Sequence, residues 1–279
     1  MMRRVLIGIG GTPFTTVAIH RAVELCRLHD AQLTAVTVVD QERLNRLGSV
    51  PAGAGGAAAE LREHRSSATR ELVEAAIEAL TSACEAGQVS LDVHREKGDP
   101  FELMIRYARY HDVSVFGLRS MFECGVLGNT DVKPADVLNR LATGGARSII
   151  AVSERYRPIR RVLVAYGGSL RAAETMKQLV RLRLWPDITL RLLACNGTET
   201  AASRCLADAA EYCRWHGYEA ETCHRPKSAK REILAEAAQW DADLIVLGAT
   251  RASVITRSLF GTTALHVIRN ADRPLFIGS

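Results

Sequence analysis

No stretch of the 279-residue chain approaches the roughly 18 consecutive apolar residues that cross a bilayer. The opening Met1-Met-Arg-Arg-Val-Leu-Ile-Gly starts like an export signal, but its apolar run breaks at Gly10-Gly11-Thr12, before an h-region has formed. The same run recurs inside the chain, which export signals do not do. Both features point to a soluble, cytoplasmic protein with no membrane partner. No block of about five or six like charges exists either, so the net charge of +5 (36 Lys and Arg against 31 Asp and Glu) is spread thinly. With no concentrated basic patch and no recognisable reading module, nucleic acid is not an expected partner. The seven cysteines are odd in number and contain no C-x-x-C, and several sit at apolar helix positions, so they read as reduced thiols rather than a disulfide framework or zinc site.

Catalytic signatures are missing as well. There is no G-x-S-x-G elbow, no H-E-x-x-H helix and no G-x-x-x-x-G-K-[ST] loop, and the eight histidines lack the i, i+4 spacing of a helical metal pair. Gly8-Ile-Gly10-Gly11 is only a fragment of the dinucleotide fingerprint, because Pro13 stands where its third glycine belongs. Enzymatic turnover is therefore not expected, and neither catalytic nor metal-binding residues are assigned.

What the chain does have is length for two domains, an ordinary globular composition (47% hydrophobic, 24% charged) and an internal repeat. Arg3-Arg-Val-Leu-Ile-Gly-Ile-Gly-Gly-Thr12 matches Arg160-Arg-Val-Leu-Val-Ala-Tyr-Gly-Gly-Ser169 position by position, offset by 157 residues. Val113-Ser-Val-Phe-Gly117 answers Leu244-Ile-Val-Leu-Gly248, and Arg147-Ser-Ile-Ile-Ala-Val-Ser153 answers Arg273-Pro-Leu-Phe-Ile-Gly-Ser279. The polar stretch Ser153 to Pro158 marks the seam, giving domains over 1–155 and 156–279.

Within each copy the apolar period switches between strand and helix. Val5-Leu-Ile is a buried-strand run. Ile19, Ala22, Val23 and Cys26 then fall on one helical face, as do Val73, Ala76, Ile77, Leu80 and Cys84 after the strand from Leu33 to Val39. The order is βαβαβαβαβ, and the second copy repeats it. Alternating strands and helices imply parallel pairing with right-handed crossovers, hence an α/β fold of two doubly wound open parallel sheets in three layers. Such sheets hold ligands outside the carboxyl ends of their strands, where strand order reverses.

In the second copy that edge carries Tyr166-Gly167-Gly168-Ser169 and the segment from Gly248 to Thr262. Gly248 ends a buried strand without a side chain, which lets backbone approach a ligand. Gly261-Thr262 opens a helix whose positive end suits a phosphate, and Arg251 and Arg257 between them offer charge-assisted contacts. The plainer account stays open at each point. Taken alone, Gly167-Gly168 reads first as a tight turn with Ser169 as N-cap, and either arginine as a solvated loop charge.

The repeat, the opening strand ending in Gly-Ser, Asp243-Leu-Ile-Val-Leu-Gly248 and the closing Gly261-Thr262 helix resemble the universal stress protein family in a tandem two-domain form. The resemblance covers nearly the whole chain and implies a flavodoxin-like, adenine nucleotide alpha hydrolase-like fold and a stress-response binding or scaffold role. Nucleotide-binding members carry Gly, two residues, Gly, nine residues, Gly and Ser or Thr; this chain offers Gly248, Arg251, Gly261 and Thr262 at that spacing, with arginine in place of the middle glycine. The aspartate expected near the end of the first strand is Gly167 here and Gly10 in the first copy. The first copy lacks a Gly-Ser or Gly-Thr at the required distance and is read as degenerate. The resemblance thus implies ATP, with Mg, in the second domain only. The alternatives are a nucleotide-free interaction protein and, third, slow ATP hydrolysis. It also suggests that the two copies pair within the chain through their last strands. A homodimer through the same edge is equally open. The Gly- and Ala-rich stretch 50–57 is read as a loop entering the second helix.

Overall fold

The computed structural model describes residues 2–10, 12–39, 55–118, 138, 141–142, 144–145, 148–248 and 261–278. The first half runs β1 (Arg4–Ile9), α1 (Thr15–His29), β2 (Gln32–Val39), α2 (Gly55–Gly87), β3 (Leu91–Lys97), α3 (Pro100–Ala108), β4 (Val113–Gly117) and β5 (Ser148–Val152). The second repeats it as β6 (Arg161–Ala165), α4 (Leu170–Leu182), β7 (Thr189–Cys195), α5 (Glu199–Trp215), β8 (Ala220–Arg225), α6 (Ala229–Gln239), β9 (Leu244–Gly248), α7 (Thr262–Asn270) and β10 (Leu275–Gly278).

Local chemistry sets several of these boundaries. Asp99 caps α3 by accepting from the Phe101 and Glu102 N–H groups at 2.7 and 3.0 Å, and Pro100 follows at the first helical position, where its missing N–H costs nothing. Thr198 caps α5 in the same manner. The helical stripes predicted from periodicity are buried: Ile19, Ala22, Val23 and Cys26 on α1, then Val73, Ala76, Ile77, Leu80 and Cys84 on α2. One boundary differs. Gly55, Gly56 and Ala57 belong to α2 rather than to a loop, since the alanine-rich run behind them favours helix enough to carry two glycines into its first turn. Residues 50–54 lie outside the described residues.

Strand order is β3-β2-β1-β4-β5-β10-β9-β6-β7-β8. Each half is thus a five-stranded parallel sheet that reverses order between its first and fourth strands. The two sheets join through one antiparallel pair, Leu275 opposite Ala151 and Phe276 opposite Ile150, into ten strands. Their central place leaves β5 and β10 buried along their whole length, whereas the outer strands β3 and β8 mix half-buried and exposed positions and so present polar edges to water.

Side chains from both halves cross the join. Gln178 Nε2 on α4 donates to Ser148 Oγ on β5 at 2.6 Å, and His29 Nε2 lies 3.1 Å from the Leu184 carbonyl. The buried Arg21 of α1 donates to the Arg157 carbonyl, pairs with Glu24 and lies 4.9 Å from the Tyr156 ring and 5.5 Å from that of Trp185. Burial lowers the Arg21 pKa from its usual value, and the neighbouring Glu24 opposes that shift.

Candidate functional site

Because β6 and β9 are parallel neighbours, with Val164 opposite Val246, their carboxyl ends deliver Tyr166–Ser169 and Gly248 to one edge. Helix α7 follows β9 and returns toward the start of β10, so its first residue, after Gly261, lies at that edge too. The fold therefore gathers Tyr166, Gly167, Gly168, Ser169, Gly248, Gly261 and Thr262. Arg251 and Arg257 lie outside the described residues.

Each residue has a local reason for its conformation. The Tyr166 N–H donates to the Leu193 carbonyl at 2.8 Å and its side chain is buried; burial, then the charges of Cys205 and Asp208, push its phenol pKa up. Gly168 takes φ +71°, a left-handed conformation that a side chain would strain. Ser169 is the N-cap of α4, its hydroxyl accepting from the Ala172 N–H at 3.2 Å. Gly248 is constrained from within the protein. A Cβ there would lie 3.0 Å from the Arg171 carbonyl carbon and oxygen, so the missing side chain lets the first turn of α4 pack against the strand end. Gly261 is the N-cap of α7 and supplies no side-chain hydrogen bond, in contrast to Ser169 on α4. Thr262 after it is exposed.

The corresponding edge of the first half is built differently. Phe14 occupies the N-cap of α1 and provides no side-chain bond, while Thr12 N–H donates to Thr15 Oγ1 at 2.9 Å. Leu118 N–H, just past β4, donates to the Val152 carbonyl at 2.8 Å. Residues 119–137 lie outside the described residues, so the glycine spacing of this half has no structural counterpart here.

At the opposite, amino edge Asp241-Ala-Asp243 precedes β9, where the sequence reads as an ordinary helix-to-strand turn, and the structure gives these carboxylates, and Asp112 in the first half, specific partners. Asp112 Oδ2 accepts from the Arg3 and Arg4 N–H groups at 2.7 and 2.9 Å, and Asp243 Oδ2 accepts from those of Arg160 and Arg161 at 3.0 and 2.9 Å. Both halves thus tie the start of their first strand to the start of their fourth with the same carboxylate. Asp241 and Asp243 serve this turn, Asp241 pairing with Arg157 at 3.3 Å and with Arg161. The signal was present, since Asp112-Val113 and Asp243-Leu244 align within the repeat.

An unforeseen cluster surrounds Glu236, whose side chain is 1% exposed. It accepts from Arg191 at 2.8 Å and from Arg225 at 2.6 Å, and Arg191 also pairs with Glu221. Burial works to raise the Glu236 pKa; the two guanidiniums outweigh it and hold the carboxyl below its ordinary value. Among the described residues no group of three or more His, Cys, Asp or Glu side chains is arranged to hold a metal ion, and no helix is long and apolar enough to cross a membrane.

A family model, described as the universal stress protein family, matches residues 1–115 and 158–277. Among solved structures, a universal stress protein from Archaeoglobus fulgidus DSM 4304 aligns over 99% of this chain and 96% of its own, with a TM-score of 0.66 at 18% identity. A functionally unknown protein from Pseudomonas aeruginosa PAO1 aligns over 99% and 92%, with a TM-score of 0.62 at 13% identity. The universal stress protein from Archaeoglobus fulgidus solved in complex with dAMP covers 44% of this chain and 98% of its own, at 22% identity and a TM-score of 0.36. At these identities the two likenesses that span the chain speak to the fold alone. No curated protein matches.

Proposed function

Since this chain belongs to the universal stress protein family, matched in both repeats, we propose that it is a tandem member, with domains over 1–155 and 156–279, that binds an adenine nucleotide at the carboxyl edge of its second domain. The site comprises Gly167, Gly168, Ser169, Gly248, Arg251, Gly261 and Thr262, with Tyr166 and Arg257 beside them. The protein acts by binding, as a cytoplasmic stress-response or scaffold component, rather than by turnover. The two domains form the dimer-like unit within one chain through the β5–β10 pair.

The observation that carries this reading is the N-terminus of α7. Gly261 closes the helix with no side chain of its own, so among the described residues the N-cap position leaves the first-turn N–H groups and the positive dipole end free of a side-chain cap, on the edge where a doubly wound sheet holds its ligands. A phosphate fits that donor set. When bound, the nucleotide supplies negative charge to this helix end, and Mg²⁺ accompanies its phosphates. Isothermal titration of the full chain with ATP and Mg²⁺ is the test: binding heat is expected, and its absence at about 1 mM nucleotide, an affinity worth only ~4 kcal/mol, removes the proposal.

One observation favours a second reading, a nucleotide-free interaction protein. The contact between Gly248 and α4 accounts for that glycine without any ligand. Under that reading Gly261→Asp, which places a carboxylate where the phosphate would lie, leaves the protein's partners and stability as they were. Slow ATP hydrolysis, the third reading, requires steady phosphate release that is abolished by altering Arg251.

A further inference from the structure

The three tryptophans have different fates. Trp185 is buried at the join, and Trp240 is half-buried with the Arg191 guanidinium 4.4 Å from its ring. Trp215, the last residue of α5, is 84% exposed. It forms one wall of a surface cavity of about 480 Å³ with His216 and Gly217; the facing wall is Val180, Arg181 and Arg183 from the end of α4. Arg181 Nε donates to the Tyr212 hydroxyl at 3.0 Å, and the Tyr212 and His216 rings lie 4.6 Å apart. Lys177 Nζ sits 5.3 Å from the same tyrosine ring.

Two helix C-termini meet at this place, and their negative dipole ends account for basic side chains nearby. They do not account for an indole left open to water beside those charges. Among the described residues no acidic side chain lines the cavity. Like charge opposes pairing of the patch with its own copy across a two-fold axis, where each arginine would face another. Trp, Tyr and Arg are the residue types that dominate protein–protein hot spots. The patch is one compact hollow rather than a groove that tracks a long phosphate backbone, which favours a peptide over a nucleic-acid strand.

We propose that this hollow, built by Trp215, His216, Arg181 and Arg183, docks an acidic segment of another protein. One apolar side chain of the segment lies on the indole while its carboxylates meet the guanidiniums. Both helix ends feed strand starts, so the hollow is on the amino edge, opposite the proposed nucleotide site, and its occupancy is independent of ATP.

The test uses the full chain and fluorescence anisotropy with three labelled probes: short synthetic peptides in which Asp and Glu flank a single Phe or Leu, the same peptides with Lys in place of the acids, and a thymidine oligonucleotide. The acidic peptides are expected to bind, more weakly as salt rises, and Trp215→Ala or Arg181→Glu each to reduce affinity about tenfold or more. The melting temperature of Trp215→Ala should stay at the wild-type value, because the side chain is exposed. Acidic peptides that bind no better than basic ones, a Trp215→Ala variant that binds them as well as wild type, or a preference for the oligonucleotide would each overturn the proposal.

Discussion

At the scale of single residues, the clearest assignments are to buried thiols and to carboxylates, two of which the repeat places alike. Asp243 and Asp112 each hold two backbone N–H groups, so removing either leaves two donors at a strand start without their partner. Asp243→Ala should cost about 1–3 kcal/mol in denaturant unfolding, and Asp112→Ala a similar amount. Glu236 makes a sharper prediction because its folded pKa is depressed. Its contribution is present above the unfolded carboxylate value, near 4.3, and is lost as pH falls through the lower folded value. Glu236→Gln should therefore destabilise the protein at neutral pH by about 3 kcal/mol, having broken a buried charge pair, and should flatten the acid limb of the stability curve. Equal acid sensitivity in mutant and wild type would count against this assignment. Among the thiols, burial pushes Cys26 up to about 12, reinforced by Cys84, and burial pushes Cys84 and Cys213 up to about 11. These three should resist alkylation near neutral pH until the protein unfolds, with peptide mapping as the readout.

At the scale of elements, small residues at strand ends decide how closely α4 approaches the sheet. A Cβ on Gly278 would lie 2.6 Å from Thr175 Oγ1 and 2.9 Å from Gln178 Oε1, and one on Gly248 would meet α4 backbone at 3.0 Å. Gly278→Val should lower the melting temperature, with overpacking costing about 1–3 kcal/mol, and should disturb the Gln178–Ser148 bond that crosses the join. Much of this level was legible in the sequence. The stripes on α1 and α2 followed from spacing alone, because an amphipathic helix writes its buried face at i, i+3 and i+4. The start of α2 was not legible, since glycine content argued for a loop while alanine propensity carried the helix. The reason for Gly248 was equally hidden: sequence identifies a missing side chain, but not whether a ligand or a neighbouring helix fills the space.

At the scale of the molecule, the tandem repeat was readable from one ten-residue match and two shorter ones, whereas a join through the last strands was suggested only by the family resemblance and not by the residues themselves. β5 and β10 are apolar enough to lie at an edge or in the centre, and only their mutual antiparallel pairing in the folded chain distinguishes the two. The contacts of Arg21 were hidden for a related reason: its carbonyl partner, Arg157, is 136 residues away in the chain. Splitting the protein between residues 155 and 156 would expose two buried strand edges. Each half is then expected to self-associate, or to recombine with the other, rather than to elute as a monomer in size-exclusion chromatography. The nucleotide proposal also belongs to this scale, because it assigns different roles to two halves of one topology. Amide hydrogen exchange measured with and without ATP and Mg²⁺ tests it most directly. Added protection at the start of α7 and along 166–169, with the first half unchanged, is the predicted result; protection confined to the first half, or none anywhere, would contradict it.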